Sequence, residues 1–134
     1  MADEVLLTVD GEILFRQINP AFLVEGEFTS QIFEVTPKDQ GELSIDQQRL
    51  SSAKEAHERF VGQGYASAGV THVTVGECSA LELNSYHKPE TLNPAHGFID
   101  FRETPSKQAR KKKARKLKLA AQRHGLDYEP DTGG

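Results

Sequence analysis

Apolar and polar residues follow each other along this chain in patterns that predict several short strands. Two apolar runs, 5–9 and 13–18, flank Asp10-Gly11, a dipeptide suited to tight two-residue turns, and so predict a β-hairpin. In "GVTHVTVGE" (69–77) β-branched residues alternate with other residues, which is typical of a strand. We also expect a last strand in "HGFIDFRE" (96–103) and short strands in "QIFEVTP" and "ELSID".

Helical spacing is clearest in two segments. In "SSAKEAHERFV" (51–61) Ser52 and Glu55 match the capping-box pattern, and apolar residues recur on one side. A short helix is also predicted in "SALELNSYH". Thr104 and Pro105 suit the N-cap and first position of a final helix that ends at Gly125.

These elements together predict an α+β fold, in which two or three helices cover one face of a mainly antiparallel sheet. We divide the chain into an acidic α+β body (1–103), a basic C-terminal helix packed on it (104–125) and a flexible tail (126–134).

Charge is distributed very unevenly between these segments. The whole chain carries a formal charge of −4, yet residues 1–101 hold 6 Lys and Arg against 16 Asp and Glu. Residues 102–125 hold 10 basic residues against Glu103 alone. An acidic body joined to a basic end indicates a partner for the positive charge, either inside the protein or outside it.

The first half of the final helix concentrates this charge, since seven of the ten residues 107–116 are Lys or Arg. Cations at a helix N-terminus oppose the macrodipole and repel one another. Three readings remain open: a solvated helix, one neutralised by the acidic body, and one that contacts a polyanion. No aromatic residue is present in the helix for base stacking, so nucleic-acid binding would be nonspecific.

Our first interpretation is a small, non-enzymatic, intracellular interaction protein whose basic helix contacts nucleic acid or an acidic partner protein. Its second half would dock on the sheet through Leu117, Ala120 and Ala121. The residues that we expect to contact nucleic acid are Arg110, Lys111, Lys112, Lys113, Arg115, Lys116 and Lys118.

Other features limit the remaining classes of function. No apolar run is long enough to span a bilayer, and the acidic start "MADEV" does not look like a secretory signal, so we expect a cytoplasmic protein with no membrane partner. The single cysteine, Cys78, excludes an internal disulfide framework. No histidine pattern indicates a metal site, and no motif indicates a cofactor. The oligomeric state is left open.

Three polar residues occur in predicted strands, Arg16 in "ILFRQI", Ser44 in "ELSID" and Glu77 at the end of "VTVGE". An Arg on an early strand, a Ser on a second and a Glu on a late strand resemble the order in arginine-type ADP-ribosyltransferases. That resemblance implies that Arg16 holds the dinucleotide phosphates, Ser44 supports it and Glu77 polarises the ribose hydroxyl. The chain lacks the family's Ser-Thr-Ser strand and has Val75 in place of its second Glu. We favour a structural Arg16–Glu77 ion pair over this catalytic alternative.

The string "LNPAHGFIDF" (92–101) places Asn93 in a predicted turn and His96 at the start of a strand, a junction that often lines a pocket. With "FRQINPAF", "TPKDQGELSID" and "SAGVTHVTVGEC", it resembles a group of small bacterial proteins of unknown activity. That resemblance covers about residues 14–101 and implies a bacterial cytoplasmic origin. The group often has His at the position of Asn19.

The chain ends in Gly133-Gly134, which resembles the tail of ubiquitin-like modifiers. Conjugation through this terminus is a further alternative, although the body does not have the pattern of a small β-grasp domain.

Overall fold

The computed structural model describes residues 4–130, which form an α+β fold as the sequence predicts. Seven strands form an antiparallel sheet in the order β1-β7-β8-β5-β2-β6-β9, and β3 and β4 form a separate two-stranded ribbon. The strands are β1 (Val5–Leu6), β2 (Ile13–Gln17), β3 (Leu23–Val24), β4 (Glu27–Phe28), β5 (Glu42–Gln47), β6 (Val70–Thr74), β7 (Ser85–His87), β8 (His96–Asp100) and β9 (Leu126–Tyr128). The α-helices of this part of the chain are α1 (Ala53–Gly62), α2 (Val75–Ser79) and α3 (Lys107–His124).

The predicted hairpin around Asp10-Gly11 is wrong, although the chain does turn there. β1, which precedes the turn, does not pair with β2 but with β7 at the edge of the sheet. β2, which follows the turn, pairs with β5 and β6. The reason is the composition of β2, where Leu14 and Phe15 point to opposite faces and both are buried. A strand that is apolar on both faces needs cover on both, and therefore lies in the centre of the sheet.

Helices cover the two faces of this sheet. On one face the side chains of Leu14, Ile45 and Val73 join a core cluster with Ala114 and Leu117 of α3. The opposite face carries Phe15, Val70 and Phe98, and α1 packs against β2, β6 and β9 on this side. α3 and α1 are thus separated by the sheet.

Close approach of β7 and β8 requires a glycine in the sheet centre. A Cβ at residue 97 would overlap the carbonyl oxygen of Tyr86. Gly97 therefore allows β7 to pair at His87 with the first residues of β8, next to His96.

Several short predicted elements differ from the structure. "QIFEVTP" (31–37) forms no strand, and its first three residues belong to the 3₁₀ helix Ser30–Phe33, in which Ile32 and Phe33 are both buried. The predicted strand 69–77 ends at Thr74, and α2 follows directly. The helix predicted in "SALELNSYH" is replaced by the end of α2 and by strand β7.

The C-terminal boundaries also differ in detail. The N-cap of α3 is Ser106, whose hydroxyl accepts a hydrogen bond from the Ala109 N–H, and the helix begins at Lys107. Beyond Gly125 the sequence predicted a flexible tail, whereas Leu126–Tyr128 form β9 on β6. Gly133 and Gly134 lie outside the described residues. None of the helices in residues 4–130 has the length and hydropathy needed to cross a membrane.

Candidate functional site

The sheet opens between β2 and β5 and leaves a cavity of about 480 Å³. These two strands pair only at Leu14↔Gln47 and Phe15↔Asp46, so that β5 residues 42–45 have no backbone partner on β2. Side chains from the loops after β2 and before β8, and from α1, complete the walls. The lining includes Arg16, Asn19, Phe22, Lys38, Asp39, Ser44, Asp46, Arg59, Phe60, Tyr65, Glu90, Asn93 and His96.

Two side chains that the sequence singled out, Ser44 and His96, meet in this cavity. Asp46 and His96 are direct partners in the β5–β8 ladder, which makes Ser44 the diagonal neighbour of His96 on the same face. The Nε2 atom of His96 lies 3.1 Å from the Ser44 Oγ. Ser44 is exposed, whereas only 11% of the His96 side chain is exposed.

The second nitrogen of His96 fixes the role of the first. Nδ1 lies 2.7 Å from the carbonyl oxygen of Lys88, which can only accept a hydrogen bond, so Nδ1 carries a proton. In the neutral ring Nε2 then has the lone pair and accepts the hydroxyl proton of Ser44. The pair is thus a hydroxyl hydrogen-bonded to an imidazole that a third group orients.

Acidic and amide side chains surround this pair. The Asn93 amide donates to the Asp46 carboxylate at 2.5 Å, and the Asn93 Oδ1 accepts from the Ala95 N–H at 3.1 Å. Reciprocal backbone bonds between Glu90 and Asn93 close a tight turn, which places a Glu90 carboxylate oxygen 3.8 Å from the His96 Nε2. Asn93 and His96 therefore do line a pocket together.

Arg16 lies at the point where β2 and β5 separate. Its Nε donates to the carbonyl of Ile32 and its Nη1 to the carbonyl of Ser44, each at 2.7 Å. Burial lowers the pKa of Arg16 to about 10, while the nearby Asp39 and Asp46 act in the opposite direction. The guanidinium therefore stays charged at neutral pH and binds one carbonyl of β5, at Ser44, and one of the 3₁₀ helix, at Ile32.

The structure separates Glu77 from Arg16 and Ser44, so it brings together neither the ADP-ribosyltransferase-like triad nor the Arg16–Glu77 ion pair. Glu77 is in α2, which follows the end of β6 that pairs with Ile13, and it does not line the cavity. Its carboxylate accepts from the Thr74 N–H at 2.8 Å and lies 2.9 Å from the Nε2 of His124. Glu77 is the N3 residue of a capping box, not the end of a strand.

The basic residues of α3 divide into two groups by exposure. Arg110 and Lys113 turn back to Thr104, where the Arg110 Nε donates to the carbonyl and the Lys113 Nζ to the hydroxyl. Those two and Lys118 are partly buried. The exposed cations are Lys107, Lys111, Lys112, Arg115, Lys116 and Arg123.

These six exposed cations, which we call the cationic face, lie within one half of the helix circumference at 100° per residue. None of the ion pairs among residues 4–130 uses a lysine or arginine of α3, and only His124 of this helix pairs, with Glu77. The first turn also has no acidic residue to balance the helix dipole. The acidic body therefore does not neutralise the cationic face through direct contacts of its described residues.

Sequence reasoning missed Asp46, Glu90 and the orienting carbonyl of Lys88. The i, i+2 spacing of Ser44 and Asp46 in "ELSID" was a usable signal, since it places two polar residues on one face of a strand. The role of the Lys88 carbonyl could not be predicted from the sequence, because every residue has a backbone carbonyl. Within residues 4–130 no cluster of three or more His, Cys, Asp or Glu is arranged to hold a metal ion.

Comparison of the chain with protein-family models, with curated proteins and with solved structures finds no match.

Proposed function

We propose that the protein binds nucleic acid without base specificity, through the cationic face of α3. The observation that carries this proposal is that six exposed cations lie on one half of a helix without an acidic partner among the described residues. Each phosphate that a lysine or arginine contacts releases counterions, which makes such a face a favourable site for a polyanion.

The dimensions of α3 suit this ligand. From Lys107 to Arg123 the helix rises about 24 Å, which corresponds to roughly seven nucleotides of a strand in duplex DNA. The helix contains no aromatic residue on which a base could stack, and we assign its lysines and arginines to phosphate contacts. Contacts to phosphate alone position a protein on nucleic acid and do not select a sequence. A cytoplasmic location, where nucleic acid is accessible, is part of this proposal.

The test has to leave α3 in place. Ala114, Leu117, Ala120 and Ala121 belong to the core, so deletion of the helix would expose the sheet and unfold the protein. Substitution of Lys112 and Arg115 by Gln removes two central charges from the cationic face and preserves helix propensity. The matched control is K38Q/K54Q, which removes two exposed charges from outside α3.

We expect wild type to bind a mixed-sequence DNA duplex and a single-stranded RNA in fluorescence anisotropy at 50–200 mM salt. Binding should weaken linearly in a plot of log K against log salt concentration. K112Q/R115Q should lower the magnitude of this slope by about 2, or roughly 0.9 for each phosphate contact, and the control should retain it. Equal loss in the control, or no binding by wild type at 50 mM salt, would refute the proposal and leave an acidic protein as the partner to test.

A further inference from the structure

The cavity between β2 and β5 contains a serine and a histidine within hydrogen-bond distance, which the cationic face lacks. We propose that Ser44 is a nucleophile activated by His96, and that the cavity holds a small carboxylic ester with an apolar acyl group.

The geometry around Ser44 meets the requirements of nucleophilic catalysis. Such a site needs a hydroxyl within about 2.6–3.2 Å of a base, and a third group that orients the base. The Ser44 Oγ lies 3.1 Å from the His96 Nε2, and the Lys88 carbonyl holds Nδ1 at 2.7 Å. In this arrangement a backbone carbonyl does what a carboxylate does in Ser-His-Asp triads, since it selects the tautomer with its lone pair on Nε2.

Accessibility distinguishes this pair from a structural hydrogen bond. The base is shielded while the nucleophile is exposed, and both line a cavity of about 480 Å³, a volume suited to a small organic ligand. No backbone bond of either strand depends on the Ser44 hydroxyl, which is a side-chain donor on the cavity face. The hydroxyl is therefore available for reaction without loss of the fold.

The aromatic part of the lining suits an ester with an apolar acyl group. Phe15, Phe22 and Phe60 supply apolar walls, and Tyr65 stacks on Phe60 with ring centroids 5.0 Å apart. The Arg16 guanidinium also lines the cavity and donates to the main-chain carbonyl of Ser44.

The reaction balances with water as the only co-reactant. The Ser44 Oγ attacks the ester carbon while its proton passes to the His96 Nε2, and the bond from that carbon to the alcohol oxygen then breaks. The leaving alkoxide takes the proton from Nε2. Water attacks the acyl-serine with His96 again as base, and the acid departs with Ser44 restored.

A fluorophosphonate probe tests this proposal, because it reacts with activated serine hydroxyls and not with ordinary ones. We expect the full chain to be labelled at Ser44, located by mass spectrometry of peptides, and to hydrolyse 4-nitrophenyl butyrate. S44A should lose both properties. H96Q should lower the rate of labelling by about 100-fold or more, the usual contribution of a general base.

The matched control is S79A, which removes an exposed serine hydroxyl at the end of α2, away from the cavity. S79A should be labelled like wild type, and circular dichroism should show that all variants fold. Absence of label on Ser44 in folded wild type, or label that H96Q leaves unchanged, would overturn the proposal. Neither result affects the nucleic-acid proposal, which rests on other residues.

Discussion

At the scale of one residue, Cys78 shows how burial changes the reactivity of a side chain. Its thiol is fully buried in α2, and desolvation raises its pKa to about 12 from an ordinary value near 9, with the nearby Glu77 acting in the same direction. The thiolate is the nucleophilic form of cysteine. Cys78 is thus a packing residue of the core, in contrast to the exposed Ser44.

The raised pKa of Cys78 predicts a defined alkaline loss of stability. The neutral thiol is favoured in the folded chain, so its contribution is fully present below pH 9, and it is lost as the pH rises from 9 towards 12. C78A lacks this titration. We expect the difference in free energy of unfolding between wild type and C78A to shrink above pH 9, by up to about 1.4 kcal/mol per pH unit. Urea denaturation at pH 8, 9 and 10 measures it, and a constant difference would contradict the prediction.

Glu77 shows what single-residue reasoning could and could not predict. Thr74 and Glu77 match the same S/T-x-x-E pattern that correctly located the start of α1 at Ser52. The run of β-branched residues before it favours a strand more strongly, so the sequence pattern predicts Glu77 at the end of a strand. Its true position beside His124 depends on contacts between residues 47 apart, which local patterns do not contain.

At the scale of elements, α3 is an amphipathic helix whose inner side is strictly apolar and whose outer side is cationic. Two leucines in its second half lie on these two different sides of the helix. Leu117 is completely buried among Ala114, Ala121 and the sheet, whereas Leu119 is 45% exposed. Both have the same chemistry and helix propensity, so a comparison between them isolates the effect of burial.

L117A should therefore destabilise the protein by about 2–5 kcal/mol, because it leaves a cavity under the helix. L119A should change the free energy of unfolding by less than about 0.5 kcal/mol, since Leu119 is a surface residue. Thermal and urea unfolding of the two variants measure the difference. Similar costs for both substitutions would mean that α3 does not pack on the sheet through the face described above.

The strands illustrate the limit of pattern reading at this scale. The sequence pattern predicted strands at β5, β6 and β8, and it predicted β2 as one arm of a hairpin. Partner choice was not predictable, because the turn at Asp10-Gly11 allows a hairpin as easily as the separation that occurs. The cavity results directly from this topology, since it forms where β2 and β5 stop pairing.

At the scale of the whole molecule, the sheet divides the two proposed sites. α3 packs on the face that carries Leu14 and Val73, while Ser44, Asp46 and His96 lie on the strand positions that point to the other face. No residue of α3 lines the cavity. The sequence did not reveal this separation of α3 from the cavity, because it depends on how the strands pair.

This separation predicts that the two sites act independently. S44A should bind the DNA duplex with wild-type affinity and salt dependence, and K112Q/R115Q should be labelled by the fluorophosphonate at the wild-type rate. Substitutions at distant sites without shared contacts are generally additive, so the triple variant should show both losses and no more. The decisive measurement is labelling of wild type in the presence of saturating duplex, where we expect no protection of Ser44. Protection by the duplex would contradict independence and would mean that bound nucleic acid reaches the cavity.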